Sequence, residues 1–330
     1  MSECVALVTG AGGEMGHLLI PALRAQGIDV VALDLVELPE SIRELCVETT
    51  EASILDGEVL EDLFRRHTPA YVFHLAAVLS RKAEADPDLA HRVNVNGTYN
   101  LFKLCHQSGV ETAVRFLFPS SIAVYGLPNA VVKKEAGAVK ETEWTVPSGV
   151  YGCNKLYCEL LGAHFRRSRG MLDFRSIRFP GLISATTLPA GGTTDYAPEM
   201  IHAAAQNLAY KCFVLRDTRL PFMTMPDAVD ALMQLARVEP DRLSTCVYNV
   251  RGFSSKAAEI RSEVLKHYPD ADIMFEPDPA RQALVDSWPG DIDDSLAQKD
   301  WGFCPKHGLS QAMADYLVPA MKTRYAMANR

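Results

Sequence analysis

Short apolar runs alternate with amphipathic stretches along the first half of the chain. The apolar runs are rich in β-branched and aromatic residues, which predicts buried strands at residues 5–9, 29–35, 70–75 and from 116 onward. The amphipathic stretches have helical spacing at residues 15–26, 59–67 and 89–108. We expect Gly27 and Gly109 to end two of these helices and Asp56 to cap the third. Strand and helix repeated with short connections require right-handed crossovers, so the predicted fold class is α/β with a doubly wound parallel sheet.

The regular alternation fades after about residue 180. Helices are predicted at 228–237 (capped by Asp227), 256–268 and 308–328, a strand at 245–250, and loops at 184–194, 216–226 and 276–295. No repeat or clean linker separates the two halves. We therefore predict a domain over residues 1–180, to which residues 221–250 return, and a smaller, interleaved C-terminal lobe over 181–330.

Composition excludes several classes of protein and partner. The 330 residues are 48% hydrophobic and carry 33 Lys+Arg against 41 Asp+Glu, a net charge of -8. No basic patch suits a nucleic acid, and no apolar run approaches the roughly 20 residues of a membrane span. The eight cysteines form no C-x-x-C pair, so we expect no metal site. The N-terminus shows no leader pattern, which favours a cytoplasmic location.

A glycine-rich turn follows the first predicted strand. Gly10, Gly13 and Gly16 stand three residues apart. Glycines at this spacing allow a tight turn in which the backbone approaches a pyrophosphate bound at the N-terminus of the following helix. The second strand ends in Asp34, whose carboxylate suits the ribose hydroxyls of NAD and would repel the 2′-phosphate of NADP. The alternative is a structural turn beside a solvated Asp34. The pattern favours a Rossmann-like domain that binds NAD.

Tyr151 and Lys155 stand four residues apart and therefore share one face of a helix. A free tyrosine has a pKa near 10 and is a poor base at neutral pH. A nearby ammonium and the positive nicotinamide ring should lower that pKa, so that Tyr151 takes a proton from a substrate hydroxyl. The alternative is an unrelated surface pair.

These motifs together resemble the extended form of the short-chain dehydrogenase/reductase superfamily. The resemblance implies that Ser121 acts with Tyr151 and Lys155, whereas Tyr125 only packs. It implies cofactor contacts from Gly10, Gly13, Glu14, Met15, Gly16, Asp34, Ser53, Ile54, Leu75, Ala76, Ala77, Asn94, Tyr151, Lys155 and Pro180. Asn94 is also expected to touch the strand that begins at 116. Ser53 departs from the usual Asp, and the charged insertion 133–135 is expected to be a solvated surface excursion.

The superfamily also implies a homodimer that pairs two helices in a four-helix bundle. These are the helix 89–108 and the helix that carries Tyr151 and Lys155. Their expected apolar stripes consist of Leu101, Leu104 and Cys105 on the first helix and Leu156, Leu160, Leu161 and Phe165 on the second. The alternative is that these residues pack under neighbouring loops.

Further motifs resemble the short-chain type of L-threonine 3-dehydrogenase. They lie, in order, at residues 181–184, 191–197, 220–227, 281–282, 286–289, 293–295 and 300–302. This resemblance implies oxidation of the threonine C3 hydroxyl by NAD, with substrate contacts from Ser80, Ser121, Tyr151, Gly192, Thr193, Thr194 and Trp288. Thr193 as a helix cap and Trp288 as a core residue remain alternatives.

Two other functions are compatible with a bound NAD. A sugar-nucleotide 4-epimerase would normally carry Asn where this chain has Pro180, and it would need basic residues for a diphosphate. A non-catalytic NAD-binding module would be expected to have lost Tyr151 or Lys155.

Overall fold

Seven parallel strands form the central sheet of the computed structural model, which describes residues 4–108, 113–169, 172–185, 188–189 and 192–328. The strands are β1 (Val5–Thr9), β2 (Asp29–Asp34), β3 (Glu48–Glu51), β4 (Tyr71–His74), β5 (Val114–Ser121), β6 (Ala138–Val139), β7 (Leu172–Phe179), β8 (Gly181–Ile183), β9 (Tyr210–Cys212), β10 (Arg219–Thr224), β11 (Val247–Asn249), β12 (Phe253–Lys256), β13 (Ile273–Phe275) and β14 (Asp291–Ile292). The central sheet has the order β3-β2-β1-β4-β5-β7-β11.

This strand order confirms the predicted doubly wound α/β fold. Every neighbouring pair in the sheet is parallel. The order reverses between β1 and β4, so a crevice opens at the carboxyl ends of these strands, which is where such sheets bind ligands. Strand β3 was not predicted, because its sequence Glu48-Thr49-Thr50-Glu51 lies at the sheet edge and has no apolar run.

Helices cover both faces of the sheet and pack around the shorter strands. They are α1 (Glu14–Arg24), α2 (Glu40–Arg43), α3 (Gly57–His67), α4 (Ser80–Ala85), α5 (Pro87–Ala90), α6 (Thr98–Gln107), α7 (Ala130–Ala136), α8 (Val150–Arg169), α9 (Tyr196–Ala205), α10 (Met225–Arg237), α11 (Ala257–His267), α12 (Pro279–Asp286), α13 (Ser295–Trp301), α14 (Leu309–Gln311) and α15 (Val318–Ala328). Wider π-helical turns join α5 to α6 at His91–Gly97 and α14 to α15 at Ala312–Leu317.

Alternate residues of the central strands face opposite sides of the sheet, so each side has its own core. Ala6 and Val8 of β1 share a cluster with α1 and α10. Leu7, between them, belongs to the opposite cluster with α3, α6 and α8. A third apolar cluster packs against α9, α11 and the small sheet that β8, β10 and β12 form.

The segment 216–226 is not the predicted loop. Strand β10 occupies most of it and pairs with β8 on one side and β12 on the other. Buried pairing on both sides produces a continuous apolar run instead of an alternating one, and prolines at 221 and 226 obscured it.

Asp227 is not the predicted helix cap. Thr224 caps α10, because its hydroxyl accepts a hydrogen bond from the Asp227 N–H at 3.3 Å. The Asp227 carboxylate instead accepts hydrogen bonds from the backbone N–H groups of Lys306 and His307, each at 3.1 Å. Asp227 therefore ties the C-terminal segment to the start of α10.

The predicted loop 276–295 contains both α12 and β14. Asp278 accepts hydrogen bonds from the N–H groups of Ala280 and Arg281 at 2.9 and 3.0 Å, and Pro279 follows it as the first helical residue. Asp and Pro are typical of this position as well as of loops, so composition alone was misleading here.

The prediction that residues 133–135 form a solvated surface excursion is also wrong. It forms part of α7, where Lys133 is buried and its Nζ donates to the Val285 carbonyl at 2.9 Å. That carbonyl belongs to the last turn of α12, where a cation is stabilised by the helix dipole. The insertion therefore ties α7 to α12.

The predicted apolar stripe on α6 faces inward. Leu101 and Cys105 are fully buried against the sheet, because α6 places them on its core side. The large apolar side chains exposed on α6 and α8 are Tyr99, Tyr157 and Leu160. Of these, only Leu160 belongs to the predicted stripes, so the apolar outer face is formed mainly by other residues.

Two predicted positions, Gly109 and Gly191, lie outside the described residues. Within the described ranges, no helix is both long and apolar enough to cross a bilayer. In the same ranges, no group of three or more His, Cys, Asp or Glu residues is arranged to hold a metal ion.

Candidate active site

The turn after β1 is closely packed against the segment that follows β4. Gly10 has a φ of +69°, and its N–H donates to the Leu33 carbonyl at 2.8 Å. A Cβ at Gly10 would lie 2.5 Å from the Ala76 nitrogen, and one at Gly16 only 2.1 Å from the Ala11 carbonyl oxygen. Both positions therefore require glycine, as the motif predicts.

The N-terminus of α1 is open to a ligand. Gly13 is exposed, and no side chain caps the helix, which begins with Glu14 and Met15. The N–H groups of a helix's first turn and the positive end of its dipole together suit a phosphate.

Asp34 ends β2 directly beside this turn. Its Oδ2 accepts a hydrogen bond from the Gly12 N–H at 2.8 Å. The Ala52 N–H donates to the Asp34 carbonyl at 2.8 Å, which brings Ser53 and Ile54 to the same edge of the sheet. Ser53 Oγ accepts from the Leu55 N–H at 3.1 Å, and Ile54 is buried. The predicted residues Asp34, Ser53 and Ile54 thus lie at one edge of the sheet, and the Asp34 carboxylate is bound to the glycine turn.

Asn94 positions the segment that continues from β4 through Leu75, Ala76 and Ala77. Its amide accepts from the Val78 N–H at 2.7 Å and donates to the Val78 carbonyl at 3.0 Å. It also approaches Asn154 of α8 at 3.4 Å. Among the described residues, no hydrogen bond joins the Asn94 amide to the strand that begins at 116, because its two amide groups are used on Val78 and α8.

Ser121 and Tyr151 come from different elements at the carboxyl end of the sheet. Ser121 is the last residue of β5, and its Oγ accepts from the Ala123 N–H at 3.2 Å, which starts a short 3-10 turn. Tyr151 is the second residue of α8 and is partly buried, with Lys155 one turn further along. The Lys155 Nζ lies 5.6 Å from the centre of the Tyr151 ring.

Lys155 is buried and points towards the end of β5. Its Nζ donates to the Pro119 carbonyl at 2.7 Å and lies 4.4 Å from the centre of the Phe118 ring. Burial lowers the pKa of Lys155 to about 8, against the opposite influence of Cys158 and Glu159. The ammonium is thus held two residues before Ser121.

Burial raises the pKa of the Tyr151 phenol above its ordinary value. This direction is opposite to the lowering expected from Lys155. The reason is that desolvation dominates at Tyr151, while the Lys155 ammonium is engaged by Pro119.

The predicted substrate residues Ser80 and Thr193 meet across the crevice. Ser80 opens α4 and Thr193 precedes α9, and their hydroxyl oxygens are 3.2 Å apart. Gly192 donates to the Asp195 carboxylate at 2.6 Å, and Thr194 lies against Gly181. Both hydroxyls are buried, so this contact is shielded from solvent.

Pro180 and Trp288 are both buried. Pro180 lies between β7 and β8. Trp288 belongs to the core of the second lobe, together with Val285 and Ile292. Tyr125 packs as predicted: it is fully buried, and its hydroxyl donates to Asn249 at 2.7 Å.

Sequence reasoning missed Glu159. This residue lies one turn beyond Lys155, is buried, and binds both Ser120 and Arg178. The available signal was a single acidic residue in the apolar stretch after the Tyr151 motif.

His74 was also missed as a polar core residue. It ends β4 between Thr9 and Thr98, with its two ring nitrogens 2.7 and 2.9 Å from their hydroxyls.

A family model now adds independent information. The model for the NAD dependent epimerase/dehydratase family matches residues 6–250. The chain belongs to this family. The predicted membership of the extended short-chain dehydrogenase/reductases is thereby confirmed.

Individual relatives within this family carry two kinds of name. The chain is 33% identical to the mitochondrial L-threonine 3-dehydrogenase of Bos taurus over 332 residues, which covers 98% of this chain and 84% of that protein. It is 35% identical to an uncharacterised epimerase/dehydratase of Staphylococcus haemolyticus, with 96% and 98% covered. A solved structure described as a monomeric L-threonine 3-dehydrogenase from a metagenome is 36% identical, with a TM-score of 0.87 and 98% and 100% covered.

Proposed function

We propose that the protein is an NAD-dependent dehydrogenase that oxidises the C3 hydroxyl of L-threonine to give 2-amino-3-ketobutyrate and NADH. The observation that carries this proposal is the hydrogen bond from Lys155, one helical turn after Tyr151, to the Pro119 carbonyl, two residues before Ser121 at the end of β5. The similarity to proteins named L-threonine 3-dehydrogenase over nearly the whole chain supports the choice of substrate.

The residues around the first turn fit NAD. A Cβ at Gly10 would strike Ala76, so the turn has the closeness that a pyrophosphate site requires. Gly13, Glu14 and Met15 would hold the phosphates at the N-terminus of α1. Asp34 would accept hydrogen bonds from the adenosine ribose, and Lys155 would donate to the nicotinamide ribose. NAD, when bound, supplies the hydride acceptor and a positive charge near Tyr151.

The side chains divide the proton chemistry between them. Ser121 donates a hydrogen bond to the substrate oxygen and directs its proton towards Tyr151. Tyr151, as the phenolate, accepts the proton of the C3 hydroxyl while hydride leaves C3, so the alcohol becomes a ketone. Lys155, together with the positive charge of bound NAD, would stabilise the phenolate against the burial that raises the pKa of Tyr151.

The buried hydroxyls beside this group suit a zwitterionic amino acid. Ser80 and Thr193 already lie within hydrogen-bond distance of each other, and we assign the substrate's polar groups to them and to Gly192 and Thr194. Trp288 closes the apolar side near the substrate methyl. Apart from Ser80, these contacts come from the second lobe, which we assign to residues 181–330, with 1–180 and 221–250 forming the NAD domain.

The alternative is a sugar-nucleotide 4-epimerase. Pro180 stands where those enzymes use the side-chain amide of an Asn to grip the uridine diphosphate, and proline has no such amide. Purified protein is incubated with NAD and either L-threonine or a UDP-sugar, while NADH absorbance is followed. NADH produced from threonine supports the proposal. No net NADH with threonine, together with interconversion of the sugar, supports the epimerase instead.

We also assign the protein to the cytoplasm as a homodimer. The exposed side chains Tyr99, Tyr157 and Leu160 on α6 and α8 give a twofold contact an apolar face. Light scattering at micromolar concentration should give twice the mass of one chain, and a single-chain mass with full activity would contradict the dimer. Fractionation of the source cells decides the location.

A further inference from the structure

The strand that carries Ser121 is paired on one side only at its end. The pairing of β5 with β4 stops at Phe73 and Leu117. The pairing with β7 continues to Ser121 and Phe179. Pro119, within this last stretch, has no N–H to donate. Residues 118–121 therefore lack a strand on the β4 side, and other groups must hold them in place.

Helix α8 supplies these groups. Tyr151, Lys155 and Glu159 follow one another at intervals of four residues, and so lie on one face of the helix. Lys155 donates to the Pro119 carbonyl at 2.7 Å. The Glu159 carboxylate accepts a hydrogen bond from the Ser120 hydroxyl. The helix that carries Tyr151 is thus hydrogen-bonded to the two residues immediately before Ser121.

The Glu159 carboxylate is itself fixed in orientation. It is 2% exposed, and Arg178 Nε donates to its two oxygens at 3.0 and 3.2 Å while Nη2 donates at 2.6 Å. Arg178 stands opposite Ser120 in the β5–β7 pairing. Its Nη1 donates to the Tyr125 hydroxyl at 2.9 Å and to the Glu141 carbonyl at 2.7 Å. A forked, charge-assisted pair of this kind has little freedom to rotate.

We propose that Glu159 is a positioning residue, which holds Ser120 through its hydroxyl and thereby sets the position of Ser121 relative to Tyr151. The proposal rests on the function proposed above for the roles of Tyr151 and Ser121. Glu159 touches neither substrate nor cofactor in this account. Its action is carried by one hydrogen bond to the residue next to Ser121.

The test removes that hydrogen bond without exposing a buried charge. Ser120→Ala leaves the Glu159–Arg178 pair intact, so folding is retained. A misplacement of about 1 Å near the reacting atoms costs roughly 100-fold in rate. We expect kcat for threonine oxidation to fall about 10- to 100-fold, while KM for NAD stays within about 2-fold because the first turn is untouched.

The matched control is Tyr125→Phe. It removes a buried hydroxyl that also binds Arg178. Arg178 donates to the Tyr125 hydroxyl through Nη1, whereas it binds Glu159 through Nε and Nη2. We expect a loss of stability similar to that of Ser120→Ala, with kcat unchanged. A fall in kcat for Ser120→Ala alone supports positioning, whereas equal falls in both variants, or none in Ser120→Ala, overturn it.

Crystal structures of wild type and Ser120→Ala, in one crystal form, give a readout that needs no substrate. Movement of residues 119–121 relative to Tyr151 supports the proposal, and an unchanged position overturns it. If wild-type protein makes no NADH from threonine, the proposed function fails. These two structures then decide the role of Glu159 by themselves.

Discussion

His74 should make the stability of this protein fall in mild acid, because its ring is held neutral in the fold. The side chain is 1% exposed and lies between two hydroxyls, with Nδ1 2.7 Å from Thr9 and Nε2 2.9 Å from Thr98. Thr98 gives its own proton to the Asn94 carbonyl at 2.6 Å. Its oxygen must therefore accept from His74, which puts the ring proton on Nε2 and leaves Nδ1 to accept from Thr9.

The magnitude follows from the change in pKa between the unfolded and folded states. Burial, and then the positive charge of Lys155, lower the pKa of His74 from 6.5 to about 3. Below pH 6.5 the His74 side chain binds a proton in the unfolded chain but not in the folded protein. Proton binding then favours the unfolded state, so the free energy of unfolding decreases as the pH falls from 6.5 towards 3. At about pH 4 the loss is about 3 kcal/mol, at roughly 1.4 kcal/mol per pKa unit.

Urea unfolding followed by far-UV circular dichroism, at about pH 7 and about pH 4, measures this loss. Carboxylates also contribute to acid sensitivity, so the wild type is compared with His74→Asn, whose amide can accept from Thr9 and donate to Thr98. We expect the wild type to lose about 3 kcal/mol more than this variant. The control His91→Asn changes an exposed histidine and should behave like the wild type. Equal acid sensitivity in the wild type and His74→Asn would refute the reasoning.

Two further predictions concern the cofactor turn. Asp34→Ala should lower kcat/KM for NAD about 10- to 100-fold, because a charged hydrogen bond to the ribose is lost. The variant should also use NADP more readily than the wild type does. Equal use of NAD and NADP by the wild type would contradict this role of Asp34. Gly10→Ala should weaken NAD binding and destabilise the fold by more than about 2 kcal/mol, because a positive φ and a 2.5 Å backbone clash add together. The control is Gly27→Ala: Gly27 has a φ of +73°, but a Cβ there would have no atom within 4 Å. This variant should lose only about 1 kcal/mol of unfolding free energy in urea, with unchanged NAD affinity. Equal effects of the two variants would show that the clash at Gly10 does not contribute.

The NAD half of the fold could be predicted from the sequence because its signals are local. The β1–α1 turn places four glycines within seven residues, three of them at the motif spacing, and Tyr151 and Lys155 share a helix face. Each of these patterns is set by neighbours in the chain. The strands between them are buried, and so appear as short apolar runs.

The second lobe depends on contacts that are distant in the chain. Strand β10 is recognisable as a strand only through β8 and β12, which pair with its two edges. Lys133 appeared to be a surface residue because its partner, the Val285 carbonyl, is 152 residues away. Glu159 escaped notice for the same reason, since Ser120 and Arg178 lie on other elements.

The central claim is that Tyr151 takes the proton from the C3 hydroxyl of L-threonine while NAD accepts the hydride. The most direct test compares NADH formation from L-threonine by the wild type, by Tyr151→Phe, and by Tyr71→Phe as a control at the opposite end of β4. The wild type and Tyr71→Phe should produce NADH at similar rates. Tyr151→Phe should bind NAD with unchanged affinity but turn over about 10² to 10⁴ times more slowly. Undiminished turnover in Tyr151→Phe, or no NADH from threonine with the wild type, would contradict the claim.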